Sequence, residues 1–220
     1  MAMDEDARIK SPSNVFSEIY ERRIWGGDAG RDFDSGAGSH DPAVVAAYID
    51  ALTRLASGIG RTLDAADLGC GDFNVGSQVR HLFGAYAACD VVPSLIERNR
   101  TVYAALRVDF RCLDIVADDL PPGDIAFVRQ VLQHLSNDSI QRFVGKLYRY
   151  KFLVLTEHVP ARPDFPPNVD QTTGAGTRLQ SGSGVVLTAA PFSLRSRAER
   201  TLCEVHGYGG VIRTIVYQLR

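Results

Sequence analysis

The run Ala65-Ala66-Asp67-Leu68-Gly69-Cys70-Gly71-Asp72-Phe73 constrains this chain more than any other. The apolar segment from Leu63 to Leu68 carries an acid, Asp67, at its end and leads into a Gly-x-Gly turn. Such a run predicts a buried strand, and the glycines let the backbone come very close to something. At a strand-to-helix turn the usual something is a nucleotide-like ligand. The dinucleotide fingerprint G-x-G-x-x-G asks for a third glycine at position 74, where Asn74 stands. The pattern acid-x-Gly-x-Gly fits better.

Around this turn, strands and helices alternate as an α/β doubly wound sheet requires. Asp41-Pro42 predicts the cap of a helix whose apolar face is Val44, Val45, Tyr48, Ile49, Leu52 and Leu55. Strands are expected at 63–68, 86–92, 109–113, 124–128 and 152–156. The run Ile-Ala-Phe-Val in the fourth is apolar on both faces, as a central parallel strand should be. Helices fall between: a short one with Val79, Leu82 and Phe83 inward, one over 93–106 with Val102 on its inner side, and one capped by Ser136 that includes Tyr148. Residues 211–219 alternate as a strand, paired with 199–205 through Gly207-Tyr208-Gly209-Gly210. The expected whole is a single domain of Rossmann-like kind. Its sheet has seven strands, mostly parallel with an antiparallel C-terminal strand, and helices on both faces. Within it, 1–40 form an N-terminal lid segment, 41–158 a cofactor-binding core, and 159–220 an acceptor-side loop and C-terminal hairpin.

With 220 residues, 45% of them hydrophobic, the chain can bury a full core. A net charge of −2 gives no electrostatic footprint for nucleic acid. No apolar run is of membrane-spanning length, and residues 1–10 lack a signal peptide's apolar stretch. Cys70, Cys89, Cys112 and Cys203 form no C-x-x-C pair, and three of them, in or beside expected strands, read as small buried hydrophobes in a reducing cytoplasm. No metal site is expected, and the chain reads as a monomer or homodimer.

The acid-x-Gly-x-Gly stretch resembles the first motif of S-adenosylmethionine (SAM)-dependent methyltransferases of the Rossmann-like class. That class often has one more glycine, where this chain has Phe73; subgroups reading D-x-G-C-G-D-F resemble it closely. The likeness extends to Phe16-x-x-Ile19-Tyr20, Trp25-Gly26 and Ser35-Gly36-x-Gly38-Ser39. These look like the lid of a bacterial subgroup that also has the V-L-x-H-L-S run, and the match continues to Asn168 and Pro191-Phe192.

The resemblance implies SAM as cofactor, S-adenosylhomocysteine (SAH) as product, and methyl transfer to an O or N of a small-molecule acceptor. Gly69, Cys70 and Gly71 would admit the methionine end, whose carboxylate suits a helix N-terminus. Asp67 would meet the amino group or brace the turn. Asp90, 23 residues after Asp67 and ending the second strand, suits the two ribose hydroxyls. Val91, with Val92, would pack on adenine. Asp114 would reach the adenine amino group, with Ile115 on the ring. Gln130, at the end of the fourth strand, would line the sulfonium. Tyr20, Trp25, Gly38 and Ser39 would close over it. For deprotonating an acceptor the chain offers His134 first, with Glu157 and His158 as further candidates. Two alternatives share these features: an NAD-dependent oxidoreductase, and a non-catalytic SAM-binding partner protein.

Overall fold

The computed structural model describes residues 11–26 and 33–220. Ser11 caps α1 (Pro12–Glu21), and Phe16, Ile19 and Tyr20 form its buried face. A short α2 (Ala37–His40) leads into α3 (Pro42–Ile59). Asp41 starts α3 by accepting the N–H groups of Ala43 and Val44, which satisfies two donors that helix geometry leaves free. Then follow β1 (Ala65–Leu68), α4 (Asn74–Val79), β2 (Tyr86–Asp90), α5 (Pro93–Val102), β3 (Asp109–Cys112) and β4 (Ile125–Arg129). The chain continues through α6 (Asn137–Lys146), β5 (Phe152–Val159), β6 (Ala198–Gly207) and β7 (Gly210–Gln218).

The sheet order is β3-β2-β1-β4-β5-β7-β6. The first five strands are parallel. β7 runs antiparallel to β5 and pairs with β6 as a long hairpin. Strand order reverses between β1 and β4. A doubly wound sheet opens its ligand crevice there, beyond the strands' carboxyl ends. Side chains of one strand alternate between two cores. Ala66, Leu68, Ala126 and Val128 join α1 and α6, while Ala65, Ile125 and Phe127 join α3 and α4.

The expected architecture stands, with local corrections. Val102, the last residue of α5, and Tyr148, in the 3₁₀ turn that follows α6, are exposed at 55% and 41% rather than turned inward. Of the four cysteines only Cys89 is buried; Cys112 is exposed because β3 is the edge strand. Of the expected lid, residues 1–10 and 27–32, Gly27 and Gly30 among them, lie outside the described residues. Among the described residues no helix is long and apolar enough to cross a membrane.

Phe73 stands where related motifs carry a further glycine, and its φ of 60° lies in the left-handed region. That conformation costs an ordinary residue roughly 1–2 kcal/mol. The ring is fully buried, edge-on to Tyr86, Tyr103 and Phe110. Burying a phenylalanine contributes about 1.5–3 kcal/mol, which offsets the strain.

Candidate active site

A cavity of about 450 Å³ opens at the crossover between β1 and β4. That size suits a small-molecule ligand. Its floor is the β1 turn. Gly69 has a φ of 85°, and a Cβ there would stand 2.5 Å from Val131 Cγ2, so only glycine fits. Gly71 donates its N–H to Asp90 Oδ2 at 3.1 Å, and its carbonyl accepts from the buried Asn99 Nδ2 at 2.8 Å. Cys70 lines the same turn.

Asp90 ends β2. Its Oδ1 accepts from Val92 N at 3.1 Å, so each oxygen keeps capacity for a further donor. Burial raises its pKa. Val91 lines the cavity, whereas Val92 is fully buried beneath it. Asp114, after β3, fixes its own turn by accepting from Val116 N at 2.8 Å. Ile115 stands beside it on the wall. Asp67 accepts from the Tyr86 hydroxyl at 3.1 Å, and burial lifts its pKa to about 7.

Gln130 follows β4 with a φ of 55°, a strained conformation at the crevice mouth. Before it, Arg129 is a half-buried cation. Nη1 donates to Ser39 Oγ at 3.1 Å, Nη2 donates to the Gly38 carbonyl, and the guanidinium lies 5.2 Å from the Tyr48 ring centroid. Its Nε has no hydrogen-bond partner.

The N-terminal segment roofs the cavity. Tyr20 Oη and Ser35 Oγ are 3.0 Å apart. Ser35 Oγ also accepts from Asp72 N at 2.9 Å, and Ser35 N donates to Asp72 Oδ2 at 3.3 Å. Trp25 donates to the Ala175 carbonyl at 3.3 Å, with its ring 4.8 Å from that of His134. Gly38 and Ser39 complete this side.

The polar wall is ordered by Gln133. Its Oε1 accepts the His158 backbone N–H at 3.2 Å, which directs its amide NH₂ toward His134 Nε2, also at 3.2 Å. His134 Nδ1 is 3.1 Å from the Gly176 carbonyl, which can only accept. His134 therefore carries its proton on Nδ1 and spends its Nε2 lone pair on Gln133. Burial presses its pKa down to about 4. His158 differs. Its Nε2 faces the Gly207 carbonyl at 3.2 Å, so the proton sits there and the Nδ1 lone pair is unclaimed among the described residues. Burial lowers its pKa too.

Every sequence-derived candidate lines this cavity except Val92 and Glu157, and the side chain of Glu157 does not reach the crevice. It is 2% exposed, and its oxygens accept the N–H groups of Leu132 at 3.0 Å and Gln133 at 2.9 Å. Burial outweighs these bonds and lifts its pKa to about 8. Glu157 thus holds the turn that presents Gln133 and His134.

Sequence reasoning missed Arg129, Gln133 and Asn99. Asn99 carried a signal: it is the polar residue on the apolar face of α5. Arg129 is the first charge after an apolar strand, but its role depends on Ser39 and Tyr48, which only the fold brings near. Among the described residues no group of three or more His, Cys, Asp or Glu is placed to hold a metal.

No family model matches the chain, and no curated protein sequence does either. Solved structures do. The N-methyltransferase NodS from Bradyrhizobium japonicum WM9, in complex with SAH, superposes with a TM-score of 0.63 at 13% identity, over 94% of this chain and 100% of that one. Magnesium protoporphyrin IX methyltransferase (ChlM) from Synechocystis PCC 6803, with bound SAM, gives 0.57 at 13% identity, over 97% and 99%. The N-terminal domain of EvdMO1, in the presence of SAH and D-fucose, gives 0.57 at 14% identity, over 96% and 100%. The fold is therefore that of Rossmann-like methyltransferases.

Proposed function

We propose that this chain is a SAM-dependent methyltransferase acting on an O or N of a small molecule. The carrying observation is the convergence of Asp67, Gly69, Gly71, Asp90, Asp114 and Gln130 on one cavity. Solved structures that share this fold include ones determined with SAM or SAH. The ribose falls to Asp90, the adenine to Asp114, Ile115 and Val91, and the methionine end to the Gly69–Gly71 turn. Near-neutral net charge supports a small acceptor over a nucleic acid.

SAM brings a methyl group already activated by its sulfonium. The protein supplies proximity, orientation and exclusion of water. For a hydroxyl acceptor it also supplies a base, and His158 is the favoured candidate because its Nδ1 lone pair is unclaimed. His134 ranks below it, since both ring nitrogens are engaged. Glu157 acts by positioning.

The reading is tested by incubating the protein with cell extract and SAM carrying a deuterated methyl group. Mass spectrometry is expected to find a small molecule carrying that methyl, and SAH accumulating. Neither product in any extract would leave the non-catalytic binder as the better description. With the acceptor in hand, His158→Ala should lower kcat roughly 10²–10⁴-fold while SAH affinity holds. The wild-type rate should fall as pH drops through the His158 pKa, which lies below its ordinary 6.5. A larger loss from His134→Ala would reverse the ranking.

The roof is proposed to tighten over bound cofactor. Amide exchange across 12–25 and 33–40 is expected to slow when SAH is added, because the Ser35–Asp72 bonds bind the roof to the cofactor turn. Unchanged exchange would make the segment a fixed cover.

A further inference from the structure

Arg129 is a half-buried cation with no ion-pair partner among the described residues, and its Nε is sealed from solvent. Its guanidinium reaches a hydroxyl, a carbonyl and an aromatic face, and its Nε is unpartnered. No carboxylate lies within ion-pair distance of it among the described residues. The acids nearest in its field are otherwise engaged. Asp67 accepts from Tyr86. Asp72 accepts from His40 Nε2 at 2.6 Å and from the N–H groups of Ser35 and Asn74. Taking a charge even partly out of water without a paired ion is unfavourable. The fold accepts that cost at a position that lines the cavity.

We propose that Arg129, with the Ser39 hydroxyl beside it, forms a carboxylate-binding subsite of this cavity. A carboxylate matches the charge, and its two oxygens suit the guanidinium's donors. The site rests on the methyltransferase reading above, which supplies two sources of the group. One is the methionine end of the cofactor. The other is an acceptor that is itself a carboxylic acid.

The test uses the full chain and Arg129→Met, which keeps the length of the side chain and removes its charge. Calorimetry is run with SAH, with 5′-methylthioadenosine, which lacks the amino-acid end, and with benzoate on SAH-saturated protein. If the subsite takes the cofactor, Arg129→Met binds SAH about tenfold or more weakly and 5′-methylthioadenosine unchanged. If it takes the acceptor, SAH affinity is unchanged, and SAH-saturated wild type binds benzoate where the variant does not. Equal affinity of the two proteins for all three ligands overturns the subsite. Should Arg129→Met not fold, Arg129→Gln is measured against the same three ligands and read in the same way. Failure of the wild type to bind SAH or 5′-methylthioadenosine refutes the cofactor reading separately. In that case benzoate binding to unloaded wild type, lost in Arg129→Met, still upholds the carboxylate site, and no benzoate binding overturns it.

Discussion

Asp90→Ala is expected to weaken SAH binding by about 2–4 kcal/mol, because it deletes the acceptor offered to two ribose hydroxyls. The carboxylate sits at the end of β2 with its oxygens held by Gly71 N and Val92 N, so it is preorganised before any ligand arrives. Those same bonds mean that the variant also loses some stability, about 1–2 kcal/mol, since two N–H groups lose their partner. Calorimetry on protein confirmed folded by its melting curve separates the two effects. Unchanged SAH affinity in a folded variant would remove Asp90 from the ribose.

The second large effect is structural. Arg178→Ala is expected to destabilise the protein by about 3–5 kcal/mol. Arg178 is 1% exposed. It donates to the carbonyls of Val169 at 3.1 Å, Leu132 at 2.9 Å and Leu135 at 2.7 Å, and to Asn137 Oδ1 at 2.9 Å. One side chain thus ties the 159–184 segment to the turn bearing Gln133 and His134. Removing it leaves buried acceptors dry, at roughly 1–3 kcal/mol each before relaxation. Chemical denaturation measures the change. A shift under about 1 kcal/mol would mean that water replaces the guanidinium and that the segment is held by other contacts.

The sheet was legible because its signals are local. Each central strand is a short apolar run, and the caps at Asp41 and Ser136 mark helix starts with the residues that perform the capping. The cofactor turn was legible for the same reason, since Gly69 and Gly71 must sit where the backbone turns tightly. The polar wall was not. Whether His134 or His158 has a lone pair to spare depends on Gly176, Gly207 and Gln133, and those contacts join residues up to 49 positions apart. Glu157 lies near the end of β5, which points to the crevice, yet its side chain is consumed by two backbone N–H groups, which no spacing could announce. Tyr148 is exposed because it falls in the 3₁₀ turn after α6, beyond the reach of α-helical periodicity; the structure offers no such reason for Val102, the last residue of α5.

Thermal denaturation of the wild-type protein against increasing SAH, with NAD in parallel, asks whether the cavity is a SAM site. A ligand that binds the folded state alone raises the melting temperature by mass action, and one at about 100 times its Kd adds about 2.7 kcal/mol. SAH is expected to raise the melting temperature in wild type and to lose that effect in Asp90→Ala, while NAD leaves both unmoved. A rise with NAD and none with SAH would contradict the methyltransferase assignment.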